Sequence, residues 1–119
     1  KMPKILADKG ILVSLENSGR MEAMGTRNLP FYAGTAVAYG VDKEAALSMI
    51  TLNTAKILGI DKVVGSIEEG KYATLFISAG DALDMRGNQV TLAFIQGKQI
   101  ELTNPQIELW KKYDGKYGK

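Results

Sequence analysis

Four neighbouring side chains near the N-terminal end have types that could do chemistry: Glu16, Asn17, Ser18 and Arg20. Glu16 is a carboxylate, by type a general base or a metal ligand. Asn17 and Ser18 donate and accept hydrogen bonds, but a serine hydroxyl is far too weakly basic to take a proton from water near neutral pH. Arg20 has the planar fork that holds a substrate carboxylate through two parallel bonds. Ordinary loop polarity explains the same four residues, since a lone carboxylate is a weak signal. The chain has no histidine and no cysteine. It therefore brings no imidazole or thiolate ligand, no disulfide and no thiol nucleophile of its own.

Other candidates have plainer readings. Glu68 and Glu69 stand beside Gly70 and Lys71 without further clustered oxygen ligands, a poor calcium or magnesium site and a good wet turn. Asp81 and Asp84 read as loop residues. The glycines form neither a dinucleotide fingerprint nor a P-loop. Trp110, Tyr113 and Tyr117 interleave with lysines, a faint stacking pattern. An amphipathic closing helix with Trp110 packed on a sheet accounts for them better. The Lys-rich end (Lys111, Lys112, Lys116, Lys119) reads as a solvated helix end. A net charge of +2 over 119 residues, 45% hydrophobic and 24% charged, fits one ordinary globular domain at most. No nucleic-acid or membrane partner is expected. The compartment is open, a soluble protein of cytoplasm or periplasm.

The elements that must position these residues follow from pattern. Residues 5–9 read as a helix end stopped by Gly10. Residues 11–15 are an apolar, β-branched run, a buried strand that delivers Glu16 to Arg20 to the loop beyond it. Asn28 caps a helix over about 28–39, with Pro30 in its first turn and Gly40 at its end. Small residues along this helix permit close packing. Asp42 caps a second helical stretch over about 43–58, with Thr51 a fresh cap or kink and Gly59 the stop. Beyond Asp61 alternation replaces helical spacing. Residues 63–64, 73–78 and 90–96 read as strands, and Gln96-Gly97-Lys98-Gln99 as a tight hairpin turn returning through 100–102. Asn104-Pro105 opens a last helix to about Tyr113. One buried strand with two helices is not a closed unit, since a parallel strand needs partners on both sides.

Two phrases carry a family resemblance: Thr51-Leu52-Asn53-Thr54-Ala55-Lys56-Ile57-Leu58-Gly59-Ile60 and Gly65-Ser66-Ile67-Glu68-Glu69-Gly70-Lys71-Tyr72-Ala73-Thr74-Leu75. In this order and spacing they resemble the C-terminal signature of the amidohydrolase superfamily, above all its imidazolonepropionase-like members. Thr54 stands where the family usually has proline, and Thr74 where it has aspartate. The resemblance implies an α+β piece of a larger fold: the last strand and helices of a (βα)8 barrel over residues 1–60. The C-terminal part of a composite β-sandwich with its closing helix would then span 61–119. Lys1-Met2-Pro3 does not look like a natural start, so a fragment of a longer parent is expected.

The same resemblance implies a parent that hydrolyses a cyclic amide or other C–N bond with water activated by a zinc-like divalent metal. That metal would be bound outside this chain, which is expected to be inactive alone. Aligned on the eighth barrel strand, Ser18 falls where metal-dependent members carry an aspartate that binds metal and acts as general base. Glu16 substitutes only if the strand end is re-registered. This departure keeps open a second reading, a non-catalytic scaffold or interaction module. The expected partners are the upstream part of the parent and a homo-oligomer formed through the exposed apolar strand.

Overall fold

The computed structural model describes residues 1–19 and 22–118. Helix α1 (Met2–Asp8) ends where Gly10 takes φ +74°. A segment without helix or strand comes next, over residues 11–18. A short helix α2 (Glu22–Gly25) and a 3-10 turn (Thr26–Asn28) lead into α3 (Leu29–Ala38). Helices α4 (Lys43–Ser48) and α5 (Leu52–Ile57) complete the helical half. Then come β1 (Leu75–Ser78), β2 (Val90–Ile95), β3 (Lys98–Gln99) and α6 (Pro105–Tyr117). Among the described residues no helix is long and apolar enough to cross a membrane.

Local chemistry explains most of these boundaries. The Asp42 carboxylate accepts the Ala45 N–H at 3.0 Å and so caps α4. Thr51 does not cap α5; its hydroxyl donates back to the Leu47 carbonyl at 2.8 Å. The helical stretch expected over 43–58, with a fresh cap or kink at Thr51, is two short helices with a break at residues 49–51. Asn28 occupies the position before α3 without a side-chain capping bond. Asn104 does cap α6, accepting from the Ile107 N–H at 2.9 Å.

The sheet is antiparallel in the order β1-β2-β3, with Leu75 opposite Phe94 and Ile77 opposite Leu92. The hairpin expected at 96–99 forms, but as a two-residue turn at 96–97, with Lys98 already paired opposite Ile95. Gln96 and Gly97 both take positive φ, +50° and +79°, as a two-residue turn between twisted strands requires. The strand expected at 63–64 is instead a turn, because Val63 and Val64 both donate backward to the Ile60 carbonyl. The returning strand, expected over 100–102, is instead Lys98–Gln99, although Ile100 still donates to Ala93 at 2.9 Å. The last helix runs on to Tyr117, and Trp110 on it is 65% exposed instead of packed on the sheet.

The core is small and built on alanines. Ala33 and Ala36 of α3 meet Ala46 of α4, Val41, Met49 and Leu83. Leu83 comes from the β1–β2 loop, so it ties the β half to the helical half. Two aspartates shape that loop. Asp81 accepts from the Leu83 N–H and pairs with Lys43 at 2.7 Å, and Asp84 accepts from the N–H groups of Arg86 and Gly87. Both are turn builders, as their sequence setting suggested.

Gly34 lets the loop approach α3: a Cβ there would lie 2.2 Å from the Leu83 carbonyl oxygen. Helix propensity favours Gly34→Ala by about 1 kcal/mol, but overpacking against backbone costs about 1–3 kcal/mol. Gly34→Ala is therefore expected to lower the denaturant midpoint of the protein. A raised midpoint would show that the loop yields freely. Leu83→Ala is expected to cost about 2–5 kcal/mol in the same measurement.

Candidate functional site at the end of the extended segment

The segment at 11–15, expected as a strand, has no strand partner among the described residues and forms an arm outside any ladder. Polar groups of the α4–α5 junction hold it instead. Leu15 N–H donates to the Met49 carbonyl at 2.9 Å. The Asn53 amide donates to the Val13 carbonyl at 2.9 Å. The Ser14 and Thr54 hydroxyls share a 2.7 Å hydrogen bond. Val13 and Leu15 pack on the core, while Ile11 and Leu12 remain about half exposed, at 50% and 48%.

This anchoring fixes where the candidate residues emerge. Glu16 and Ser18 are exposed, and Asn17 is half-buried. Asn17 sits on Gly25, where an added Cβ would lie 2.1 Å from its amide nitrogen. The Tyr32 hydroxyl of α3 lies 3.5 Å from the Asn17 side-chain oxygen, at the outer limit of a hydrogen bond. The structure thus brings Asn17 together with Gly25 and Tyr32, and leaves Glu16 and Ser18 in solvent. Arg20 lies outside the described residues. Reading the sequence alone missed Tyr32, Gly25 and Asn53. Asn53 was signalled only by a polar residue within an otherwise apolar helical phrase.

Chemically, the arrangement offers an amide and a phenol, groups that orient a polar substrate. Among the described residues no three of His, Cys, Asp and Glu come together to hold a metal ion. The donors present do not fit a metal site by themselves.

The Gly65 to Leu75 phrase forms a second polar constellation. Lys71, with only 12% of its side chain exposed, bonds both Ser66 and Glu68, and Ser66 also donates to Glu68. The Ser66 hydroxyl and then Lys71 hold the Glu68 carboxyl below its ordinary 4.5. Gly70 at φ +88° makes the bend. This is a turn lock, in keeping with the structural reading of that phrase. Gly65 carries it onto α5: a Cβ there would lie 2.7 Å from the Ala55 Cβ and 3.1 Å from the Leu52 Cα. The two sequence phrases are therefore halves of one contact.

That contact joins two phrases within the region that comparison with known proteins recognises. Residues 2–100 match the Amidohydrolase family. The chain belongs to the amidohydrolase family. It is 26% identical over 109 residues to an adenine deaminase of Rubrobacter xylanophilus, covering 92% of this chain and 18% of that protein. It superimposes on an amidohydrolase from Thermotoga maritima MSB8 with a TM-score of 0.72 and 33% identity. That superposition covers 81% of this chain and 24% of the Thermotoga chain. The chain thus spans about a fifth to a quarter of the amidohydrolases it matches. Helix α6 lies beyond the family-matched residues.

Two outcomes are expected for this amidohydrolase segment. Asn53→Ala strands the half-buried Val13 carbonyl and is expected to cost about 1–2 kcal/mol. Amide exchange at residues 13–15 should then speed up more than exchange in the β1–β2 ladder; equal acceleration would dismiss the anchoring role. Glu68 should titrate below 4.5 by carbon-detected NMR. Because its folded value is depressed, its support of the turn is complete above the ordinary carboxylate range. It is lost as pH falls through the folded value. Ser66→Ala should move the Glu68 midpoint upward; an unmoved midpoint rejects the hydroxyl as the main cause.

Proposed function

We propose that this chain is the C-terminal part of an amidohydrolase whose parent hydrolyses a cyclic amide or other C–N bond. The observation that carries the reading is family membership across residues 2–100. The name of the Rubrobacter relative supports the same bond class, since deaminating adenine also breaks a C–N bond. In this reading residues 11–15 are the eighth strand of a barrel, laid along α3 to α5, and residues 61–119 are one share of a composite sandwich with its closing helix. The lack of a strand partner for residues 11–15 among the described residues and the exposed Ile11 and Leu12 support an upstream neighbour there.

The strand end then faces the active centre, as strand C-termini do in barrels. Asn17, seated on Gly25 beside Tyr32, orients the substrate, and Arg20 is kept as a candidate for holding a substrate carboxylate. The divalent metal expected of the parent would be held by residues outside this chain. Its role when bound would be to activate water. Glu16 is the one carboxylate in the cluster and the candidate base.

A second reading, a scaffold that has lost catalysis, is favoured by Ser18, an exposed hydroxyl where the resemblance leads one to expect a carboxylate. Metal analysis and hydrolysis assays on the intact protein separate the two, using adenine and a panel of cyclic amides. Stoichiometric metal with turnover supports the enzyme, and Glu16→Gln should then reduce kcat by about 10²-fold or more if Glu16 is the base. Absence of both metal and turnover, unchanged by Ser18→Asp, supports the scaffold.

A further inference from the structure

Helix α3 meets something different on each of three sides. Ala33 and Ala36 face the core and are 0% and 5% exposed. Tyr32 lies about 100° round from Ala33 in one direction, and Gly34 about 100° in the other. On the Tyr32 flank stands the end of the arm, with the Asn17 side-chain oxygen 3.5 Å from the phenol oxygen. On the Gly34 flank stands the β1–β2 loop, so near that a Cβ at Gly34 would lie 2.2 Å from the Leu83 carbonyl oxygen. The arm and the loop thus border the helix on flanks about 160° apart.

The core beneath fixes the position between these flanks only weakly. Ala33 and Ala36 share it with Ala46 of α4, and methyl groups form shallow ridges that interlock little. The loop is braced from α4 and from the core instead of from α3. Asp81 pairs with Lys43 at 2.7 Å and accepts the Leu83 N–H at 3.0 Å, and the Leu83 side chain is buried. Away from Gly34, the loop and α3 border an open cavity of about 370 Å³ whose walls include Phe31, Thr35, Val37 and Met85. Gly34 is therefore where the loop bears on the helix. The contact on the opposite flank stands at the outer limit of a hydrogen bond, where a small shift of α3 decides its strength. We propose that the β1–β2 loop is a wedge that sets the lateral position of α3, so that the sheet half controls how firmly Tyr32 holds Asn17. The inference stands under either reading of the parent, since it concerns the geometry of the arm's end and not the chemistry there.

The test is NMR of the full protein labelled with ¹³C,¹⁵N-asparagine, with circular dichroism as the folding control. The Asn17 side-chain amide is assigned by its loss in Asn17→Asp. Tyr32→Phe removes the donor and marks the shift of the amide without that bond. Gly34→Ala drives α3 away from Leu83 and toward the arm, so the Asn17 resonance should move further from that mark. Leu83→Ala and Lys43→Gln slacken the wedge, and the resonance should move toward it. Lys43 is exposed, so Lys43→Gln decides the matter even where Leu83→Ala fails to fold. Combined with Tyr32→Phe, each change should leave the Asn17 resonance at the mark, because the coupling passes through the lost hydroxyl. Shifts in the same direction from Gly34→Ala and Lys43→Gln overturn the proposal, as does an unmoved resonance. Shifts that persist undiminished without the Tyr32 hydroxyl also overturn it, since they reach Asn17 by another route.

Discussion

An arm outside any ladder cannot leave its carbonyls and amides unpaired beside a core, and the organisation of the helical half depends on how residues 13–15 satisfy theirs. With no strand beside it among the described residues, the arm borrows partners from the α4–α5 region: the Met49 carbonyl for the Leu15 N–H and the Asn53 amide for the Val13 carbonyl, with a Ser14–Thr54 hydroxyl bond beside them. The Met49 carbonyl is available because the helix is interrupted at residues 49–51, where Thr51 turns back on Leu47. An unbroken helix over the same stretch would have kept the Met49 carbonyl for itself. The break is thus the feature that holds the arm, and the arm is what delivers Asn17 to Tyr32.

The second constraint is close approach. The described core contains few large side chains, with Met49 the largest that is fully buried. Alanine-lined helices bury little area each, so backbones must come near one another to pack. Gly34 admits the Leu83 carbonyl to α3, and Gly65 admits the turn at 65–71 to α5. Both contacts join the helical half to the C-terminal half of the chain. The Ser66, Glu68 and Lys71 lock keeps the second in shape, which gives a physical reason for an acidic, glycine-containing phrase at this turn.

The site held by these contacts is an amide-and-phenol pair beside two solvated groups, in a chain that belongs to the amidohydrolase family. Glu16 and Ser18 are exposed. Asn17 is constrained on two sides, by Gly25 and by the Tyr32 hydroxyl.

Much of this was legible in the residues. Gly10, Asp42, Gly59 and the Gln96-Gly97 turn each act through local backbone chemistry, and local chemistry is what a sequence states directly. The two phrases announced the family because side chains and glycines meeting in one contact constrain one another. Other features depended on what lies across the fold. Residues 63–64 are β-branched but donate backward into a turn, Thr51 bonds behind itself instead of ahead, and Trp110 stands in solvent on an otherwise well-signalled helix. Tyr32 meets Asn17 only because α3 and the arm are brought together by contacts some 35–40 residues away along the chain, a separation that no local pattern encodes.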